Sequence, residues 1–196
     1  MARRVVVALL GATGWGPPGI DLAAWRAALV EDVVDLIATL NEVEPAIAAV
    51  PADRVLAEAV AWPGMPIYEV PVRTVNAVLA ATTAAGYDQA AVIAADAPDL
   101  PALLLAKLLR PLTTRAVAVA PGGAGLLGVA ARLPAPDWLP EIDLDAADAA
   151  TVRAAAPRAA DVAVTPSWRR LRGPADLATL DPAVEGWDVT RVLLGG

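Results

Sequence analysis

Along most of this chain, short wholly apolar runs alternate with longer stretches in which apolar residues recur every three or four positions. Runs of the first kind suit strands buried on both faces of a sheet; stretches of the second kind suit helices laid against it. On that reading residues 3–10 form a first strand, 46–50 a second, 66–70 a third and 90–95 a central fourth. Residues 116–120 and 125–131 read as a strand and its return across the turn 121–124, and 163–165 as a short last strand. The longest predicted helix is 21–40, capped by Asp21, with Leu22, Trp25, Leu29, Val33, Leu36 and Leu40 on one apolar stripe. Further helices are predicted over 53–61, 74–85 (ended by Gly86), 101–110 and 145–155, with a last helical turn at 174–180. The pattern assigns no element to residues 181–196, and it shows no internal repeat or disordered linker. Strands alternating with helices predict one α/β domain over residues 1–196 with a mostly parallel sheet.

Composition narrows the chemistry. Hydrophobic residues are 57% of the chain but aromatics only 4%, with no Phe, so the core must be Ala, Val and Leu filled out by six Trp. The absence of His and Cys excludes His-based triads, a His general base and thiolate metal sites, and leaves oxygen ligands for any Mg²⁺, Mn²⁺ or Ca²⁺. A net charge of −7 without a basic stripe argues against a nucleic-acid partner. The opening MARRVVVALLG is too short an apolar run for a signal peptide and breaks into a Gly/Pro loop, so it reads as the first strand. No stretch is apolar enough for a membrane, and a cytoplasmic location is expected.

Five stretches carry candidate chemistry. In AAVIAADAPDLP, Asp96 falls where the central strand should end, the place where open α/β sheets bind ligands; there it suits a metal or a ribose, or a plain turn. Asp99 reads as the cap of the following helix. The loop GATGWG after the first strand can turn backbone N–H groups toward a nucleotide, although Pro17 and Pro18 push the helix downstream and spoil a dinucleotide fingerprint. Gly122 and Gly123 permit a tight turn and close backbone approach. Arg169, Arg170 and Arg172 beside Trp168 suit a phosphate or carboxylate, or a solvated edge. The acids Asp137, Glu141, Asp143, Asp145 and Asp148 read as a solvated loop leading into a helix.

Taken in order, AADAPDLP, PGGAGLLGV and WRRLRGPADLATL resemble the motifs of small bacterial transferases of the GT-A fold, namely arsenosugar-biosynthesis-type glycosyltransferases and, beside them, 2-phospholactate guanylyltransferase. The resemblance spans roughly the first 180 residues. It implies a three-layer GT-A-like (nucleotide-diphospho-sugar transferase) fold and transfer of a glycosyl or nucleotidyl group from a nucleoside triphosphate or nucleotide sugar with Mg²⁺ or Mn²⁺. Its pattern D-x-P-x-L falls on Asp96, Pro98 and Leu100, and from D-V-D-T-P-E-D-L only Pro174, Asp176 and Leu177 remain. Pro121 replaces the Asp of D-G-G, Arg170-Leu171-Arg172 replaces D-V-D, and the basic K-T-R-L-like loop becomes GPPGIDLAAW, with no cation before Arg26.

On this resemblance the expected nucleotide site is Gly11, Ala12, Thr13, Gly14, Arg73 and Asp96, with Gly122 and Gly123 on the acceptor side. Arg170 and Arg172 would hold phosphates, and Asp96 would be a lone and therefore weak metal ligand. No general base can be named. Three functions stay open: a nucleotide-dependent transferase, a non-catalytic relative that binds a nucleotide or a protein, and a nicotinamide-binding protein. A homodimer is compatible with each.

Overall fold

In the computed structural model, which describes residues 2–195, the strands are β1 (Arg4–Leu9), β2 (Glu44–Ala49), β3 (Ile67–Glu69), β4 (Gln89–Ala94), β5 (Val117–Pro121), β6 (Leu126–Arg132) and β7 (Val162–Val164). Among the described residues they make one sheet in the order β3-β2-β1-β4-β6-β5-β7. β6 runs antiparallel to both its neighbours, and the other pairings are parallel. The helices are α1 (Leu22–Ala38), α2 (Arg54–Val60), α3 (Val75–Ala84), α4 (Ala102–Leu109), α5 (Ala149–Ala155), α6 (Pro174–Leu177) and α7 (Asp188–Leu193).

The wholly apolar strand runs are explained by two covered faces. Val6, Ala8, Ile47, Ala91 and Ile93 pack against α1, α2 and α4 on one side. Val5, Val7, Ala46, Ala90 and Val92 pack against α3 and α5 on the other. Neighbouring residues of a strand point to opposite faces, so both sets must be apolar. The result is the three-layer α/β architecture that the sequence predicts.

Local chemistry sets the helix starts. The Asp21 carboxylate accepts from the Ala24 N–H at 2.9 Å and begins α1. The Thr74 hydroxyl accepts from Ala77 ahead of α3, and Gly86 follows that helix in the left-handed region at φ +82. One predicted start moves. Asp148, not Asp145, caps α5, accepting from the Thr151 N–H at 2.7 Å, so Asp145 belongs to the loop before the helix.

The single stripe predicted for α1 is also too narrow. Leu22 is exposed, while Ala28, Val30, Asp32, Val34 and Ile37 are buried with Trp25, Leu29 and Val33. A second layer covers α1: α7, from the tail to which the sequence assigned no element, packs along it. Asp32, 2% exposed, fixes that contact by accepting from the N–H groups of Val189 at 3.0 Å and Thr190 at 2.8 Å. Burial raises the Asp32 pKa against the lowering effect of these bonds. Asp32→Ala strands the buried Thr190 donor and the half-buried Val189 donor, so a loss of about 1–3 kcal/mol is expected, with the melting temperature falling by several degrees. Amide exchange across residues 188–194 should quicken in the same variant; unchanged exchange there would show that α7 does not depend on this cap.

A small third core joins the tail to the carboxyl edge of the sheet. Trp25, Leu29 and Leu171 are buried together, with Trp15, Ile20, Leu177, Leu180, Leu193 and Leu194 around them. Among the described residues no helix is long and apolar enough to cross a membrane.

Candidate functional site

β1 and β4 are neighbours, yet the chain builds β2 and β3 on one side before returning at β4 to build the other. Their carboxyl ends therefore form a topological switch point, where ligands bind in open α/β sheets. A cleft of about 420 Å³ opens there, lined by Ala12, Thr13, Gly14 and Trp15 from the loop after β1 and by Asp96, Asp145, Leu171 and Arg172 opposite. A second cavity of about 260 Å³ adjoins it, with Gly11, Ala12, Arg73, Asp143, Asp145 and Arg170 in its walls.

Two carboxylates and two guanidinium groups make the floor. Arg170 grips Asp96 with both ends of its fork, Nε to Oδ1 at 2.6 Å and Nη2 to Oδ2 at 2.9 Å. Nη2 also donates to Asp145 Oδ1 at 2.7 Å, and Nη1 donates to the carbonyls of Leu126 and Leu144 at 3.2 and 3.1 Å. A guanidinium has five N–H donors, and these contacts account for all of them. With its side chain only 3% exposed, Arg170 is a structural cation beneath the cleft. Arg172 lies above it, 30% exposed, with Nε 3.1 Å from Asp96 Oδ2 and Nη2 2.6 Å from Asp145 Oδ1. Burial pushes the Asp145 pKa up, but Arg172 and Arg170 outweigh it and hold the carboxyl below its ordinary value.

The surrounding backbone is shaped to this cluster. The Leu171 N–H donates to the Asp96 carbonyl at 2.7 Å, and Asp176 accepts from the Arg172 N–H at 3.0 Å, fixing both arginines over the end of β4. Gly122 lets Arg170 approach: a Cβ there would stand 2.9 Å from Arg170 Cδ and 2.8 Å from the Leu127 nitrogen. Asp99 is not the cap that the sequence suggests. Pro101 stands at the cap position of α4 without a capping bond, and the buried Asp99 carboxylate instead accepts from Trp168 Nε1 at 3.2 Å and from Arg169. The partners that claim it come from about 70 positions along the chain. The three arginines are thus ion-paired side chains, not a solvated edge.

The loop after β1 is tethered from behind. Arg26 of α1 donates to the Gly11 carbonyl at 2.7 and 3.1 Å and pairs with buried Asp53 at 2.7 Å. Asp53 also accepts from Arg73 at 2.8 Å, and these partners, Arg26 foremost, lower its pKa against burial. Arg73 keeps 41% of its side chain exposed beside the second cavity.

Of the residues singled out in the sequence, Gly11, Ala12, Thr13, Gly14, Arg73, Asp96 and Arg172 surround one groove. Arg170 lies under the first cavity and forms part of the wall of the second. Gly122 packs against Arg170, and a Cβ on Gly123 would meet open space, so neither glycine is among the residues lining the groove. Sequence reading missed Asp145, Trp15, Arg26 and Asp53. Two signals were present: a Trp inside a glycine/proline loop, and an Asp148–Thr151 capping pair that leaves Asp145 outside the helix.

A divalent ion does not fit this donor set as it is placed. Both oxygens of Asp96 and one of Asp145 face guanidinium nitrogens at hydrogen-bond distance. Among the described residues no group of three or more His, Cys, Asp or Glu could hold a metal.

No protein-family profile matches the chain, and no curated protein matches it in sequence. Its backbone is similar to that of a Desulfovibrio desulfuricans protein provisionally designated a nucleotide-diphospho-sugar transferase, with a TM-score of 0.70 and 19% identity over 100% of this chain and 96% of that one. It is also similar to CMP:2-keto-3-deoxy-manno-octonic acid synthetase complexed with CTP, with a TM-score of 0.56 and 12% identity over 99% of both chains. A Mycobacterium tuberculosis protein in complex with manganese aligns with a TM-score of 0.52 and 12% identity over 100% of both chains. Identities this low speak to the fold alone, and the fold is that of the nucleotide-diphospho-sugar transferases.

Proposed function

We propose that the groove binds a nucleotide or nucleotide sugar and that the chain is a nucleotide-dependent transferase of the glycosyl or nucleotidyl class. One observation carries this reading: a glycine loop and an ion-paired aspartate face each other across a 420 Å³ cleft at the switch point of the sheet. The CTP-bound synthetase of the same fold supports a nucleotide as the ligand. In this reading the backbone of Gly11, Ala12, Thr13 and Gly14 meets the base or ribose, with the Trp15 ring as a stacking face. Arg172 and Arg73 face the phosphates from two walls, where guanidinium groups match phosphate oxygens.

Asp96 has both oxygens ion-paired with arginines and Asp145 has Oδ1 paired with two, which makes neither a ready general base. Transfer would then rest on positioning and on cationic stabilisation of the migrating group. That same commitment of both carboxylates favours a second reading, binding without catalysis. A nicotinamide cofactor draws no support from the loop, because α1 begins only at Leu22, well past the glycines in sequence and after Pro17 and Pro18.

Thermal shift against nucleoside triphosphates and nucleotide sugars tests the first reading. A ligand at 100 times its dissociation constant adds about 2.7 kcal/mol, a rise of several degrees. Stabilisation with product formation supports a transferase, and stabilisation without any product supports the non-catalytic reading. No shift with any nucleotide at millimolar concentration would remove nucleotide binding.

A further inference from the structure

We infer that Arg170 and Arg172 stand in for a divalent cation between Asp96 and Asp145, so that the groove takes a nucleotide's phosphates without a metal. The inference builds on the nucleotide reading above and adds how the phosphate charge is met.

The geometry is that of a carboxylate pair closed around a cationic centre. Asp96 Oδ2 and Asp145 Oδ1, from loops at opposite sides of the sheet, converge on one atom, Arg170 Nη2, at 2.9 and 2.7 Å. Arg172 bridges the same two oxygens from above, at 3.1 and 2.6 Å. Two guanidinium charges balance two carboxylate charges, which is the charge that a divalent ion would supply. With both guanidinium groups in place the carboxylate pair has no uncompensated charge: the buried Arg170, its five donors all used, closes it from below, and Arg172 covers the side that faces the cleft. Arg172 is placed differently. Its Nη1 takes no part in these contacts, and the residue lines the 420 Å³ cleft, so it can present a charge-assisted donor to a phosphate.

The test reads the metal directly, on the whole chain without nucleotide, from the electron paramagnetic resonance signal of free Mn²⁺. The native protein should leave that signal unattenuated up to millimolar metal. Arg172→Ala, a change at the exposed side of the cluster, should leave Asp96 and Asp145 short of one cation and attenuate the signal at metal concentrations at least about tenfold below the native limit, and Asp96→Asn in that background should abolish the gain. Arg172→Gln, which keeps more of the side chain at the same exposed place, provides a second route to the same unmasking if Arg172→Ala does not fold. One Mn²⁺ bound per native chain and lost with Asp96→Asn would overturn the inference. So would folded arginine variants that gain no metal.

A second arm repeats the nucleotide thermal shift in EDTA and in Mn²⁺. Equal shifts support the inference, and a shift that appears only with Mn²⁺ overturns it. No shift under either condition counts against nucleotide binding itself, while the metal titration still decides whether the guanidinium pair has taken a cation's place.

Discussion

Arg170→Met is expected to destabilise the protein by about 3–5 kcal/mol, the cost of removing one partner from a buried ion pair. Methionine fills much of the arginine's volume, so the loss is chiefly electrostatic. It leaves Asp96 without its two-pronged contact and the carbonyls of Leu126 and Leu144 without the Nη1 donor. Asp145 keeps only Arg172. For a chain of this size the melting temperature should fall by about 6–20 °C. Arg170→Lys should fall between, because an ammonium offers three donors where five are needed. A drop of less than about 2 °C in Arg170→Met would mean that the cluster does not hold the fold together.

The same cluster sets a pH dependence with a definite sign. Asp145 and Asp53 both have pKa values held below the ordinary carboxylate value by their arginines. Each therefore stays ionised in the fold at pH values where the unfolded chain, with a pKa of about 3.9, has taken up a proton. Their contribution is whole above about pH 4 and is lost as pH falls through the lower folded-state values. Melts between pH 7 and pH 3 should show native stability declining only in the acid limb. In Arg170→Met that limb should be shallower, since Asp145 has lost one of its two cations while Asp53 keeps both of its own.

How much of this could be read from the chain depends on the range of the forces involved. The strands and principal helices are set by local periodicity and by caps; Asp21 was legible as one, and the other helices were legible with ends displaced by a few residues, as where Asp148 rather than Asp145 caps α5. Asp96 was legible as a position, because an apolar run that ends in an acid places that acid at a sheet's carboxyl edge. Its partners were not. Arg170 and Arg172 lie 74 and 76 positions away, and nothing in WRRLR says which arginine turns inward. Asp99 fits a helix cap by local rules, yet Trp168 and Arg169 claim it. The tail gave no signal because α7 is only six residues long and is held through Asp32, 157 and 158 positions away from the N–H groups it caps. Asp145 was hidden by its neighbours: in a run of acids, only tertiary packing distinguishes the one that meets the arginines.

Gly125→Ala should be nearly as damaging as Arg170→Met, and for a reason that Gly123→Ala can isolate. Both glycines sit in the β5–β6 turn with positive φ, +76 at Gly125 and +83 at Gly123, so alanine at either costs about 1–2 kcal/mol in backbone conformation. At Gly123 a Cβ meets open space, and the cost ends there. At Gly125 a Cβ would overlap the Leu144 carbonyl oxygen and stand 3.0 Å from that of Asp145. Those atoms are backbone and cannot turn aside. The Leu144 carbonyl is moreover fixed by the Leu126 N–H at 2.8 Å and by Arg170. Relief must come from moving the 144–145 segment outward, which adds about 1–3 kcal/mol of packing strain. That movement draws Asp145 away from Arg170 and Arg172 and opens one wall of the groove. Gly125→Ala should therefore lose stability beyond the Gly123 variant and also lose any nucleotide-induced thermal shift, which Gly123→Ala should retain. Equal melting temperatures for the two variants would show that the turn does not brace the acidic loop, and the route from the β5–β6 hairpin through Leu144 to Asp145 would have to be abandoned.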